Sequence, residues 1–378
     1  MPPSRSPTVR RLSVSRPDLA GNEERYVVDA IRSSWISSTG AYVDRFEREF
    51  AAFCGSRAAI PVANGTVALH LALLALEAAP GDEVIVPSMT YVATANAVRY
   101  VGAEPVFVDA DPHTWCLDPA AVEDAITPRT KGIIAVHLYG HPADMDAINA
   151  IASQRGLWVV EDAAEAHGAR YKGRPTGSLG TIGTFSFYGN KILTSGEGGA
   201  LTVSDQELER TIRLLRGQGM DPERRYFFTV VGYNYRLTNL ACAMLCAQLE
   251  RVDEIVERRR QVFTWYRAAL AGIPGIGFQP IAEWAEPAPW LFCITVDEVL
   301  YGGSRDFLAG ILAREGIETR PFFRALHRLP PYEGRPGARR QLEVTDHLAA
   351  VGLSLPTSSA ITETDVARIS GLIRANAR

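Results

Sequence analysis

Six short β-type runs, at residues 83–86, 105–108, 132–137, 157–161, 184–187 and 200–203, alternate with stretches of helical periodicity. A run such as Ile133-Ile134-Ala135-Val136 has no polar face, so a strand formed from it has to be covered on both sides. Strands of that kind belong in parallel sheets with helices packed on each face. Helices are predicted between them at about 91–101, 119–125 and 145–155. The chain therefore reads as an α/β protein with a mostly parallel central sheet.

Outside this block the pattern changes. Helical spacing recurs at Tyr26, Val27, Ala30 and Ile31, then over about 43–53 and 67–77. One long helix is predicted over about 239–270, with an Arg/Glu-rich middle at 250–260 that reads as a solvated or interdomain helix. A Gly- and Pro-rich loop follows at 272–289. The remainder carries strand-like runs at 291–296 and 316–320 and helices at 305–314 and 363–375, which reads as a smaller α+β unit. At 378 residues the length suits two or three domains. The expected division is an Arg-, Ser- and Pro-rich disordered lead-in at 1–17, a large domain at 18–255 and a small C-terminal domain at 256–378.

Charge excludes some functions. With 39 basic and 43 acidic residues the net charge is −4, which gives no general electrostatic reason to bind nucleic acid or an anionic membrane. Only Lys131, Lys172 and Lys191 are lysines, so three residues exhaust the candidates for amine chemistry. Cys242 and Cys246, at i and i+4 in an apolar run, read as core packing rather than a metal site, and no metal is assigned. No apolar signal segment opens the chain, so a cytoplasmic protein is expected. Walker A, GxGxxG, HExxH and GxSxG patterns are absent.

A set of carbonyl–amine parts remains. Asp162 follows a buried apolar run, the position where α/β sheets build sites, although a carboxylate there also serves as a plain helix cap. Lys191 lies just past the run 184–187. A lysine in an apolar frame is costly unless its amine is neutralised or engaged, and the alternative is an ordinary surface lysine. A pyridoxal phosphate site needs a lysine for a Schiff base, a carboxylate for the ring nitrogen, a phosphate cup and a ring platform. Lys191 and Asp162 supply the first two. Asn64-Gly65-Thr66 at a helix start, with the Ser186 hydroxyl, supplies the cup, and Tyr91 the platform.

Those residues carry a resemblance. The stretches Val62-Ala63-Asn64-Gly65-Thr66-Val67-Ala68-Leu69, Glu161-Asp162-Ala163-Ala164-Glu165-Ala166 and Phe185-Ser186-Phe187-Tyr188-Gly189-Asn190-Lys191 are similar to motifs of the DegT/DnrJ/EryC1/StrS family of nucleotide-sugar aminotransferases. The similarity runs from about Ser13 to the C-terminal helix and takes in His137-Leu138-Tyr139-Gly140-His141 and Tyr233-Asn234-Tyr235-Arg236. The resemblance implies a fold type I aminotransferase, a homodimer with shared active sites, pyridoxal phosphate as cofactor, L-glutamate as amino donor and a nucleotide-linked keto-6-deoxy sugar as acceptor.

It also implies roles. Lys191 anchors the cofactor and moves protons, and Asp162 holds the ring nitrogen protonated. Gly65, Thr66 and Ser186 take the phosphate, with Asn234 reaching in from the neighbouring subunit. Tyr91 covers the ring, and Glu165 stands near its hydroxyl. Trp35, Arg224, Arg225, Arg236 and His327 are the expected substrate contacts, although Arg224 and Arg225 also read as a solvated arginine patch. The loops at 226–229 and 334–340 and the segment beginning at Trp290 depart from the family pattern. Amination at C3 or C4 and a guanosine-, thymidine- or uridine-linked sugar therefore stay open. A non-catalytic pyridoxal-phosphate-binding regulator is the alternative from another class.

Overall fold

The structure is a computed structural model and describes residues 11–378. A seven-stranded sheet is made of β1 (Ala58–Val62), β2 (Glu83–Pro87), β3 (Glu104–Val108), β4 (Thr130–Val136), β5 (Trp158–Asp162), β6 (Ile182–Ser186) and β7 (Gly199–Val203). Its order is β1-β7-β6-β5-β4-β2-β3. The strands from β3 to β6 pair in parallel, while β7 runs antiparallel to both β6 and β1. Neighbouring residues along the strands serve opposite cores. Ile133 and Val159 pack with Phe46, Phe50 and Phe187 on one face, and Ile134 and Val160 pack with Leu69, Leu71 and Val98 on the other. Each fully buried side chain of this size contributes about 1.5–3 kcal/mol.

β1 has no counterpart among the predicted strands. Its sequence Ala-Ala-Ile-Pro-Val carries a proline, which an edge strand tolerates because its outer side has no strand beside it, only an isolated bridge from Val62 to Arg236. A second sheet, in the order Ile276–Phe278, Phe292–Val296, Gly352–Leu355, Arg320–Pro321, is antiparallel and covers a third core built around Tyr266, Phe292 and Leu308.

Two expectations are corrected. The predicted long helix is two, Asn239–Leu249 and Val252–Leu270. The break falls where Glu250 accepts from Arg45, Asn22 and Tyr26 and where Arg251 pairs with Asp18, so tertiary ion pairs override local helix preference. Of the two readings of the charged middle, a wholly solvated one does not hold, since Arg259 is 2% exposed. The predicted lead-in also ends earlier. Residues 1–10 lie outside the described residues, but Leu12 exchanges backbone bonds with Gly316 and Glu318, and Val14 is fully buried. These two alternating apolar side chains are masked in the sequence by the Arg, Ser and Pro around them.

Candidate active site

The carboxyl ends of the parallel strands open on a cavity of about 480 Å³ that the small sheet covers from the far side. The helix Gly65–Ala75 points its N-terminus into it. Asn64 caps that helix, its side chain accepting from the Val67 amide at 3.0 Å. The Gly65 and Thr66 amides precede the first intrahelical bond and stay available to an anion. Close packing brings this end to the sheet. A Cβ on Gly65 would stand 2.8 Å from the Ser186 Cβ, and one on Gly199 would stand 2.5 Å from the Asn64 backbone. The Ser186 hydroxyl therefore lies beside the helix start.

Strand alternation separates two adjacent carboxylates. Asp162 lines the cavity, held by the Thr94 hydroxyl at 2.8 Å and the Ala164 amide at 3.2 Å. Burial raises its pKa, while Thr94, Ala164 and Lys191 pull it back. Glu161 points to the other face and is fully buried. There it accepts from the amides of Gly177, Leu179 and Gly180 at 2.6–2.7 Å and meets His137 Nε2 at 3.0 Å. Its contacts are those of a brace for the strand end.

Lys191 enters after the turn that follows β6, its amide bonded to the Tyr188 carbonyl at 2.9 Å. Burial depresses the pKa of its amine; Glu165 and Asp162 counter this, and Arg320 adds to it. Glu165 is buried and accepts from the Tyr139 amide at 2.7 Å. Burial raises its pKa against the pull of Lys191 and of that amide. Tyr91 stands half exposed at the rim, its ring 5.9 Å from that of Phe323.

Of the residues singled out in the sequence, Gly65, Thr66, Tyr91, Asp162, Glu165, Ser186 and Lys191 line this one cavity. The others lie outside it. Trp35 and Asn234 are exposed, and Asn234 bridges to Gly217 through its backbone. Arg224 is paired with Asp221 at 2.9 Å and lies over Phe227, and Arg225 lies over Tyr226. Arg236 bridges to Val62 through its backbone. His327 is buried, with Nδ1 2.8 Å from the Ser88 hydroxyl.

The cavity also takes in Thr94, Tyr139, Trp290 and Arg320, to which the sequence reading gave no role. A signal for Tyr139 existed, because it lies in the stretch His137-Leu138-Tyr139-Gly140-His141, just past the apolar run that becomes β4. Trp290 entered the sequence reading only as the start of a segment that departs from the family pattern, and Arg320 only as part of the segment leading to His327; both come from the small sheet's side of the chain, so neither was tied to Lys191.

Comparison with known proteins places this arrangement. The model of the DegT/DnrJ/EryC1/StrS aminotransferase family matches residues 17–374. A Caulobacter vibrioides protein named GDP-perosamine synthase is 49% identical over 360 residues, which are 95% of this chain and 96% of that one. The crystal structure of S. venezuelae DesV in complex with a ketimine intermediate superposes with a TM-score of 0.87 at 39% identity, covering 94% of each chain. The structure of DesI in the presence of its TDP-sugar product gives 0.90 at 36% identity, covering 98% of this chain and 94% of that one.

Proposed function

The chain belongs to the DegT/DnrJ/EryC1/StrS aminotransferase family, and on that premise we propose that it transfers an amino group from L-glutamate to C4 of a GDP-linked 4-keto-6-deoxy sugar, giving GDP-perosamine. The observation that carries the reading is the convergence of Lys191, Asp162 and the Gly65 helix start on one cavity. The guanosine-linked sugar is favoured by the 49% identical relative over the 36% identical structure that holds a TDP-sugar.

The residues present fit pyridoxal phosphate. The Gly65–Ser186 approach leaves a shallow cradle of free amides that a side chain at position 65 would fill, and the buried Asp162 carboxylate lines the same cavity as the lysine. Gly65, Thr66 and Ser186 would hold the phosphate, Asp162 the ring nitrogen, Tyr91 the ring face, Glu165 the ring hydroxyl and Lys191 the aldehyde carbon. When bound, the cofactor supplies the electron sink and the carrier for the amino group. The protein's part is charge and position. Asp162, kept in place by Thr94 and Ala164, favours a protonated ring nitrogen. Lys191 Nζ, whose charged form burial disfavours, is suited to accept a proton and give it back.

A homodimer with shared sites completes the reading. The segment that carries Asn234 also exposes Tyr226, Phe227, Phe228, Val230 and Val231, an apolar surface that a second copy would cover. The reading keeps a cytoplasmic location. Among the described residues no helix is long and apolar enough to cross a membrane.

The test is a half-reaction. The enzyme is converted to its aminated form with glutamate, offered a panel of nucleotide keto-sugars, and followed by return of the visible absorbance. Return with the GDP-linked 4-keto sugar supports the proposal. Return only with a 3-keto or thymidine-linked sugar replaces the substrate, and a Lys191→Ala protein that still forms the coloured adduct would overturn the role of the lysine.

A further inference from the structure

Trp290 reaches the cavity from the loop before the strand Phe292–Val296 and is 3% exposed. Its indole Nε1–H donates to the Asn190 carbonyl at 2.9 Å, one residue before Lys191. Its ring face meets the lysine itself, with Nζ 4.0 Å from the ring centroid. One side chain thus acts on the backbone beside Lys191 and on its amine. Tyr139 stacks against the indole at 6.1 Å and 17°, and the Tyr139 amide holds Glu165.

Arg259 holds the Trp290 backbone. It sits on the helix Val252–Leu270, 2% exposed, and among the described residues no carboxylate lies within ion-pair distance of it. Its Nη1 donates to the Trp290 carbonyl at 3.0 Å and reaches those of Thr357 at 3.3 Å and Pro289 at 3.5 Å. A buried cation without an anion is costly unless hydrogen bonds satisfy it. The convergence of three carbonyls from two segments on this guanidinium ties the loop bearing Trp290 to the helix.

We infer that Trp290 is a positioning residue for Lys191, its indole fixing the adjacent backbone while its π-face partners the ammonium form of the amine, and that Arg259 fixes Trp290 in that place. The inference rests on Lys191 being the working amine of the proposed function. An aromatic face within about 6 Å attracts a cation without accepting a proton, and tryptophan does so best. Burial is the largest influence on the amine and leaves its pKa lowered. Asp162 and Glu165 favour its charged form, burial and Arg320 oppose it, and His167, with a pKa lowered by burial to about 3, adds no charge. The indole face, 4.0 Å from Nζ, therefore offsets part of that burial cost for the cation while leaving the proton mobile.

The chain's three lysines make a direct test possible. The full-length protein, stripped of cofactor, is treated with an amine-directed reagent over a range of pH, and mass spectrometry of a digest reads Lys131, Lys172 and Lys191 separately. In Trp290→Leu the midpoint for Lys191 falls by about 0.5–1 pH unit, equivalent to roughly three- to tenfold more neutral amine below the midpoint. In Trp290→Phe, which keeps a weaker face, it falls less, and Lys131 and Lys172 do not move in either variant. A midpoint shift is insensitive to the easier access that a smaller side chain gives. A Lys191 midpoint that is unchanged or raised in a natively folded Trp290→Leu protein overturns the inference. Should that variant fail to fold, Trp290→Phe decides alone: a lowered midpoint supports the inference and an unchanged one overturns it. Labelling needs neither cofactor nor activity, so failure of the aminotransferase reading would appear separately, as no visible absorbance on reconstitution with pyridoxal phosphate.

Discussion

Tyr139 adopts a φ of 53°, unusual for a bulky residue, and in that conformation donates its amide to Glu165 at 2.7 Å. Gly140 follows at φ 91°, and a Cβ there would stand 2.1 Å from the Ala288 carbonyl oxygen, so the turn also seats the loop that brings Trp290 inward. The strained tyrosine thus ties a buried carboxyl just past β5 to an aromatic wall supplied from the small sheet's side.

The first prediction concerns that carboxyl. Burial raises its pKa above the ordinary value of 4.5, so around and above that pH the folded cofactor-free protein holds a proton that the unfolded chain releases. Its contribution to stability is intact below pH 4.5 and is lost as pH rises through the raised value. Glu165→Gln keeps an acceptor for the Tyr139 amide and removes the titration. The melting temperature of the variant minus that of the parent should therefore increase between pH 5 and pH 8, on the order of 2 °C or more. A difference that stays flat across this range would show that Glu165 is charged throughout.

A second prediction tests the phosphate cradle. Gly65→Ala places a methyl 2.8 Å from the Ser186 Cβ, closer than packed carbons approach, so the helix start has to move away from β6. Pyridoxal phosphate affinity should fall about tenfold or more in a spectroscopic titration, since one misdirected charge-assisted amide bond is worth roughly 1.5–3 kcal/mol. Equal affinity in the alanine protein would place the phosphate elsewhere.

Much of this cradle was legible in the sequence because it is local. Asp162 and Lys191 each follow a run whose apolar composition requires a buried strand, and Gly65 and Thr66 follow a residue, Asn64, that caps helices. What stayed hidden depends on tertiary geometry. Trp290 and Arg320 reach the cavity from strands and loops far along the chain. The segment Gly352–Leu355, central in the small sheet, directly follows the helix Glu343–Val351 with no turn residues to mark its start. Asn234 and Arg225 lie outside the cavity of this chain, so their proposed contacts need a second copy or a bound substrate.

Glu161 yields a third prediction, and it separates the two adjacent carboxylates. Three backbone amides and His137 converge on it, so Glu161→Gln sets an NH₂ group against N–H donors in a fully buried site. A loss of roughly 2–4 kcal/mol is expected from the urea midpoint. Because Glu161 faces the opposite side of the sheet, the variant protein that remains folded should still take up pyridoxal phosphate with a native visible spectrum. A variant of normal stability that fails to bind cofactor would reverse the assignment.

The last prediction concerns the assembly. Asn234 lies outside the cavity of its own chain, on the segment whose apolar side chains are exposed, and in a shared-site homodimer it serves the partner's phosphate. Lys191→Ala and Asn234→Ala proteins, each depleted in activity, should then complement one another. A mixed dimer has one site with both lesions and one with neither, so random reassociation of equal amounts makes half of the dimers mixed and restores about a quarter of the parent's active sites, on the order of the statistics of pairing. Native mass spectrometry verifies that mixed dimers have formed. If they form and activity does not return above that of the separate variants, Asn234 acts within its own subunit and the two sites are not shared.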